Sequence, residues 1–358
     1  MPFGQFLATA VTCRRGCLVL AGCITGGAFE PHVKVGMMLE PGANLAQPVT
    51  IIPIHVTELQ LDARIQENAR NTGIFSSKFD QLCLLVAPGV VMHRVFVTVC
   101  HRNGLEWHSE SGGPWKRDPA IFGEADQLAF LARNDMPQGE YWWNGEGRDG
   151  RQMSRPQAMT AHVYGKRLAA AEAFTHMRRH WTTYPATLKR CGDQSFVDGV
   201  NHLIWHTFTC SPKELGLPGS EYFAGTHINP NVTWFEQAKP FVSYLGRCQY
   251  MLRQGLFVAD VCVFTGDVPY QHWGRYTTKW SEKATMELPA GHGYDIINTE
   301  ALSSRATVRN GDLVLPDGMS YRLLVVDPDE EKVSLAALRK IEELKSAGVT
   351  IVFGKRKP

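Results

Sequence analysis

Carboxylate, histidine and tryptophan side chains are concentrated between residues 140 and 234 of this sequence. Glu140 stands directly before three aromatic residues, and Glu172 lies within the apolar run 167–174. A glutamate in an apolar strand is costly to bury unless it has a role. Two carboxylates can divide acid and base work at a glycosidic bond. We therefore predict that Glu140 and Glu172 are catalytic residues.

Aromatic residues around these glutamates favour a carbohydrate ligand, because aromatic rings pack on the apolar faces of sugars while carboxylates bind the hydroxyl groups. Trp115 ends a loop rich in glycine and proline, and Trp142 lies two residues after Glu140. Each tryptophan has the competing interpretation of a core residue, since large aromatic side chains are usually buried. We expect Trp115 and Trp142 to bind substrate.

Two histidines, His202 and His206, are four residues apart, which would place both imidazoles on one face of a helix. The HExxH zinc motif needs a glutamate where this sequence has Leu203. We therefore interpret both histidines as hydrogen-bonded structural residues near a pocket. A metal hydrolase that uses them together with His227 is the least favoured hypothesis, and the metal ligands stay unassigned.

The elements that must position these residues alternate between strands and helices. Glu140 begins an aromatic strand, Glu172 lies near the carboxyl end of a short buried strand, and a long amphipathic helix is predicted from Trp234 to Gln254. Short turns between the elements indicate parallel α/β layers. The other predicted elements are a helix at 156–164, a helix and strand within 196–208, strands at 258–264, 322–326 and 349–353, and a helix at 334–347.

We divide the chain into a weakly patterned segment, 1–74, a barrel-like catalytic domain, 75–240, and a flavodoxin-like α/β domain, 241–358. The composition, with 44% hydrophobic and 20% charged residues, is that of a globular protein and excludes a disordered chain or a coiled coil. A net charge of +2 disfavours a nucleic-acid surface. No apolar run reaches the length of a membrane span.

The N-terminus contains a pattern typical of export. Arg14 and Arg15 precede a short apolar run that ends at Cys23 in a lipoprotein-like cleavage box, so residues 1–23 are a candidate leader. We expect a periplasmic or extracellular protein, with a mis-assigned start and a cytoplasmic location as the alternative. The sequence has nine cysteines and no CxxC pair, which favours free thiols.

Several strings, taken together, resemble the glycoside hydrolase family 106 α-L-rhamnosidases, a family of bacterial enzymes. The resemblance covers about residues 105–354, and its order and spacing agree with the family. The matching strings are Ser111–Trp115, Glu140–Trp143, Ala161–Lys166, Ala171–Thr175, Gly199–His202, Gly225–His227, Thr233–Trp234, Tyr244–Arg247 and Ala259–Val261.

This resemblance implies an α/β fold in which a partial or shortened (β/α)8-type barrel (a TIM barrel) precedes a smaller parallel-sheet domain. It implies hydrolysis of terminal α-L-rhamnose with inversion, and calcium that holds the sugar hydroxyls. Glu140 and Glu172 match the family's two water-activating glutamates. His162, His227 and Trp234 match residues of its pocket.

The sequence also departs from the family. Only residues 116–139 separate Trp115 from Glu140, where the family has several strands and its general-acid glutamate. We therefore expect a shortened relative or a fragment, in which Glu106, Glu110 or Glu124 would have to supply the acid. The alternative is a non-catalytic remnant or sugar-binding protein. Oligomeric state is not predicted.

Overall fold

The computed structural model describes residues 6–13, 16–23, 34–39, 97–98, 100–109, 126–142, 154–176, 180–269, 279–281 and 283–356. It divides into two compact units. The first comprises Met1–Glu110 with Arg133–Asp135, and the second comprises Ser111–Ala132 with Met136–Pro358. Among the described residues no helix has the length and apolar character that a membrane crossing requires.

The first unit contains a four-stranded antiparallel sheet in the order β3-β2-β1-β4. Its strands are β1 (Phe6–Cys13), β2 (Gly16–Cys23), β3 (Lys34–Leu39) and β4 (Leu105–Ser109). β1 and β2 thus pair in antiparallel register, and the leader at 1–23 stays a prediction. Close to β4, the Asp135 carboxylate accepts a hydrogen bond from the backbone N–H of Trp107, at 2.7 Å.

The described part of the second unit contains the short helix α1 (Gln127–Ala132), followed by a three-stranded parallel sheet in the order β5-β6-β7. Parallel neighbours need a crossover, which here is a helix each time. This confirms the predicted helix near 156–164 and the buried strand around Glu172. The elements are β5 (Gln138–Trp142), α2 (Arg155–Tyr164), β6 (Ala170–Thr175), α3 (Pro185–Val197) and β7 (His202–Trp205).

Local sequence sets the ends of α2. Pro156 occupies the first turn, where its missing N–H costs nothing. Gly165 ends the helix in the left-handed region, with φ 69°. There a Cβ would lie 2.0 Å from the Asp317 side chain, so glycine suits the position.

A second parallel sheet, in the order β14-β13-β8-β9, follows in the same unit. It confirms the predicted α/β layer near the C-terminus. The two parallel sheets fall on either side of the boundary at residue 240, which stays a prediction. The elements are α4 (Lys239–Leu252), β8 (Val261–Phe264), β9 (Tyr294–Ile297), α5 (Thr299–Arg305), β10 (Thr307–Arg309), β11 (Asp312–Val314), β12 (Ser320–Tyr321), β13 (Leu323–Val326), α6 (Leu335–Ser346) and β14 (Thr350–Phe353).

Two sequence predictions need correction. The predicted helix from Trp234 is replaced at its start by a short 3-10 turn, Phe235–Gln237, and α4 begins at Lys239, where Pro240 fits the first helical turn. His202 and His206 do not share a helical face, because His202 begins β7 and His206 follows its last residue. The three apolar residues between them, Leu203 to Trp205, pair with β6 instead of forming a helix.

The core beneath the β5-β6-β7 sheet is built from large apolar side chains of strands and helices. Phe174 of β6 is fully buried and its ring centroid lies 5.4 Å from that of Tyr141. Leu188 of α3 and Phe241 and Leu245 of α4 belong to the same cluster. The packing fixes β5 and β6 against α3 and α4, so the side chains at the ends of these strands have defined positions.

Candidate active site

The two predicted glutamates are register partners on neighbouring strands. Glu140 of β5 pairs with Glu172 of β6 in the parallel ladder, and side chains in register project from the same face of a sheet. Glu140 is 2% exposed, while the Glu172 side chain retains 16% exposure. The fold therefore brings two carboxylates side by side, one buried and one within reach of solvent.

Regular pairing ends just beyond these glutamates. The register between β5 and β6 shifts after Glu140, and Trp142 pairs with Thr175. β6 has one extra residue in this interval. Within it Phe174 has φ 66°, a left-handed conformation that is rare for a bulky residue. Bulges of this kind re-aim side chains and occur beside active sites. The bulge gives Thr175 its position next to Glu172.

Glu172 has two polar neighbours. The hydroxyl of Thr175 donates a hydrogen bond to Glu172 Oε1 at 3.0 Å. The His206 ring lies beside the same oxygen, with Nδ1 at 3.5 Å. That distance is short enough for an ion pair, but Nδ1 of His206 lacks hydrogen-bond geometry to any described group. Burial, aided by the nearby His227, lowers the pKa of His206 to about 4, so the ring is neutral near pH 7.

A second polar group lies beside His206. The ring nitrogens His180 Nδ1 and His227 Nε2 are 2.6 Å apart, and a Glu221 oxygen joins them within a cluster 4.8 Å across. The Trp181 ring stacks on His227 at a centroid distance of 4.3 Å. Burial, followed by the neighbouring His180, lowers the pKa of His227. This group can bind a cation or polar ligand near the carboxylates.

Backbone hydrogen bonds of the loop segment 225–227 hold His227 in place. Gly225 N–H donates to the His176 carbonyl at 2.8 Å, and Thr226 N–H donates to the His206 carbonyl at 2.9 Å. Gly225 has φ 103°, and a Cβ there would lie 2.6 Å from His206 Nδ1. Only glycine allows this close approach, so the Gly-Thr-His string has a backbone explanation.

The five residues predicted to bind substrate lie in different surroundings. His227 lies in the group beside His206, as described. Trp234 is partly buried, donates its indole N–H to the Thr183 carbonyl at 2.7 Å and packs on the core beneath the sheet. Trp115 lies outside the described residues, and of Trp142 only the backbone is described.

His162 is not brought to the carboxylates. It sits near the end of α2, which returns the chain to the start of β6, away from the end of that strand. Its Nδ1 lies 2.9 Å from Asp295 Oδ1 of β9, and its ring stacks on Phe257 at 4.3 Å. Tyr321 donates to the other Asp295 oxygen at 3.0 Å. The surroundings of His162 are those of a packing residue.

Sequence reasoning missed His180, Trp181 and Glu221. These residues lie in loops and meet His227 only through tertiary contacts. The one available signal was the spacing of His176 and His180 shortly after the strand that carries Glu172. That spacing alone does not indicate which side chain faces the site.

The donor chemistry of this group does not fit calcium. Within the described ranges, His180, Glu221 and His227 form the one convergent group of three or more His, Cys, Asp or Glu side chains. Calcium takes about six to eight oxygen ligands, and two of these three donors are imidazole nitrogens. Glu140 and Glu172 add carboxylate oxygens from two residues only.

The fold and the site together define the class. Consecutive βαβ units with polar side chains near the carboxyl ends of parallel strands are the arrangement of α/β enzymes. The family model described as alpha-L-rhamnosidase, glycoside hydrolase family 106, matches residues 91–358. The chain belongs to this family.

Two individual proteins extend the comparison. A protein of Formosa agariphila named "Putative beta-glucuronidase" is 31% identical over 279 residues, which cover 76% of this chain and 21% of that protein. The solved structure of a rhamnosidase from Novosphingobium sp. PP1Y superposes with a TM-score of 0.56 at 26% identity, covering 72% of this chain and 24% of that one. The chain thus spans about a fifth to a quarter of the length of these relatives.

Proposed function

We propose that the chain carries the water-activating side of a glycosidase active site, which acts on terminal α-L-rhamnose with inversion. The single observation that carries this proposal is the register pairing of Glu140 with Glu172. One carboxylate takes the proton of a water molecule as it attacks the anomeric carbon, and its neighbour orients that water. Family membership supports the substrate class.

The placement of the two glutamates favours a shared role over an acid–base pair. In-register residues on parallel neighbours are separated by the strand spacing of about 4.8 Å, and both lie on the same side of the sheet. An inverting acid and base flank the sugar and are about 6.5–9.5 Å apart. A third carboxylate must therefore protonate the leaving oxygen. Of the candidates, Glu110 and Glu124 lie outside the described residues, and Glu106 belongs to the first unit.

The remaining features that the family resemblance implies are proposed as well. The β5-α2-β6-α3-β7 run supports a partial (β/α)8-type barrel as the scaffold. His227, Trp115, Trp142 and Trp234 are proposed to contact a carbohydrate substrate. Calcium rests on the family resemblance alone, and no step is assigned to it. The leader pattern ending at Cys23 supports a periplasmic or extracellular location.

Hydrolysis of p-nitrophenyl α-L-rhamnoside tests this function, because that leaving group departs with little protonation and tolerates a weak acid. NMR of the reaction identifies the anomer first released. Release of β-L-rhamnose supports inversion, and release of the α-anomer contradicts it. Rhamnose binding by calorimetry without turnover supports the alternative of a sugar-binding protein.

A further inference from the structure

Three loop segments converge beside the ends of β6 and β7, and each contributes one metal-ligating side chain. His180 follows β6, Glu221 lies in the long loop after β7, and His227 lies further along that loop. Their ligand atoms lie within 4.8 Å of one another. We propose that His180, Glu221 and His227 form a binding site for one zinc-class divalent ion.

The donor set selects the class of ion. Zinc binds imidazole nitrogen and carboxylate oxygen in a four-coordinate arrangement, and three protein ligands leave one position for water. Calcium and magnesium prefer sites built from oxygen atoms. Two nitrogens and one carboxylate therefore favour zinc or a neighbouring transition metal over either of these ions.

His227 is a buried ligand whose position is set by the surrounding backbone. It is 2% exposed, and its Nδ1 has no hydrogen-bond partner among the groups that the structure describes. Its backbone segment is held by the hydrogen bonds from Gly225 and Thr226. A buried imidazole held this firmly costs little further ordering when an ion binds.

Trp181 contacts two of the three proposed ligands, His227 and Glu221. Its ring covers one face of His227 at a centroid distance of 4.3 Å, and its indole N–H donates to the Glu221 carboxylate. Hydrogen bonds of this kind orient ligating carboxylates. Trp181 has φ 63°, a strained conformation for a bulky residue, and such strain is concentrated at functional sites.

Zinc binding can be measured directly. Chelator-stripped protein is titrated with zinc chloride by calorimetry, and its metal content is measured after dialysis. We expect one zinc per chain and a higher melting temperature on binding. Cobalt(II) bound in place of zinc should show the intense visible bands of a four-coordinate ion. Absence of saturable zinc binding would overturn the proposal.

Two ligand variants and one control localise the ion. Glu221→Gln and His180→Ala change side chains that are not buried, so both variants should fold. Loss of an outer-shell partner alone costs about 10–100-fold in affinity, and we expect each ligand variant to lose at least about 100-fold. His292→Ala removes an exposed histidine elsewhere and should bind as the wild type does.

Retention of wild-type affinity in both ligand variants, or its loss in His292→Ala, would overturn the assignment of the site. None of these measurements uses hydrolytic activity. The proposal of a zinc site and the proposal of a glycosidase function can therefore be refuted independently.

Discussion

Glu140 of β5 and Glu172 of β6 face each other across one rung of a parallel ladder, with the pairing interrupted immediately after Glu140. A carboxylate pair of this kind is costly to keep within a fold, because like charges side by side disfavour ionisation of both. A polar ligand that bridges the two carboxylates reduces this cost. A water molecule held between two carboxylates is poised for attack on a sugar, which is the chemistry proposed for this site.

The hydroxyl of Thr175 should matter for turnover. It donates to Glu172 Oε1 at 3.0 Å and fixes the orientation of that carboxylate. Hydrogen bonds to charged groups contribute about 1.5–3 kcal/mol, so we expect Thr175→Val to lower kcat by about 10- to 100-fold with little change in KM. Steady-state kinetics on p-nitrophenyl α-L-rhamnoside measure this effect.

Thr307→Val is the matched control, because that hydroxyl donates to the Val314 carbonyl on the β10–β11 hairpin. It should leave kcat unchanged. Equal rates for Thr175→Val and wild type would show that Glu172 does not depend on this hydrogen bond.

His162 should act in stability and not in substrate binding. His162→Ala removes the partner of Oδ1 of Asp295, a fully buried carboxylate whose other oxygen keeps its hydrogen bond from Tyr321. Leaving a buried polar group unsatisfied costs about 1–3 kcal/mol or more, and we expect a loss of that size in the free energy of unfolding with KM unchanged. Urea denaturation and kinetics test the two parts separately.

The control for this variant is His292→Ala, whose partner Asp260 lies at the surface. Exposed pairs contribute about 0–1 kcal/mol, so this change should be nearly neutral. A raised KM in His162→Ala, with an unchanged free energy of unfolding, would indicate that His162 binds substrate.

His202 should make stability depend on pH. Burial, followed by the neighbouring Arg253 guanidinium, lowers the pKa of His202 from 6.5 to about 4. The unfolded chain therefore binds more protons in this interval, and stability is lost as the pH falls from about 6.5 to about 4. The loss from this one group amounts to at most about 3 kcal/mol.

His202→Asn tests the assignment, because the asparagine carbonyl still accepts a hydrogen bond from Arg253, which lies 2.5 Å from His202 Nδ1. The variant should show a shallower loss of stability over this pH range in urea denaturation. The same slope in both proteins would mean that other groups cause the pH dependence.

The sequence predicted the βαβ framework better than it predicted the site. Apolar runs and a proline at a helix start are local signals, and they located α2, β6 and the C-terminal layer. Glu172 was identifiable because a glutamate is rare in such a run. The group around His227 depends on loops that fold back over β6 and β7, and no local pattern encodes such contacts.

Two further differences have physical reasons. His162 matched a family string, but matching strings do not distinguish a packing residue from a pocket residue, and here the His162 ring lies beside Asp295 of a distant strand. His202 and His206 had helical spacing, while the residues between them pair with β6 in the sheet. In both cases tertiary contacts outweighed the local pattern.

The most direct test compares Glu140→Gln, Glu172→Gln and the double variant with wild type in the hydrolysis of p-nitrophenyl α-L-rhamnoside. Glu342→Gln, an exposed change on α6, is the control. If the two carboxylates activate one water, each single variant should lose about 10²–10⁴-fold in kcat, and the double variant should lose little more than the worse single variant. Wild-type turnover in either single variant, with all proteins folded, would contradict the account.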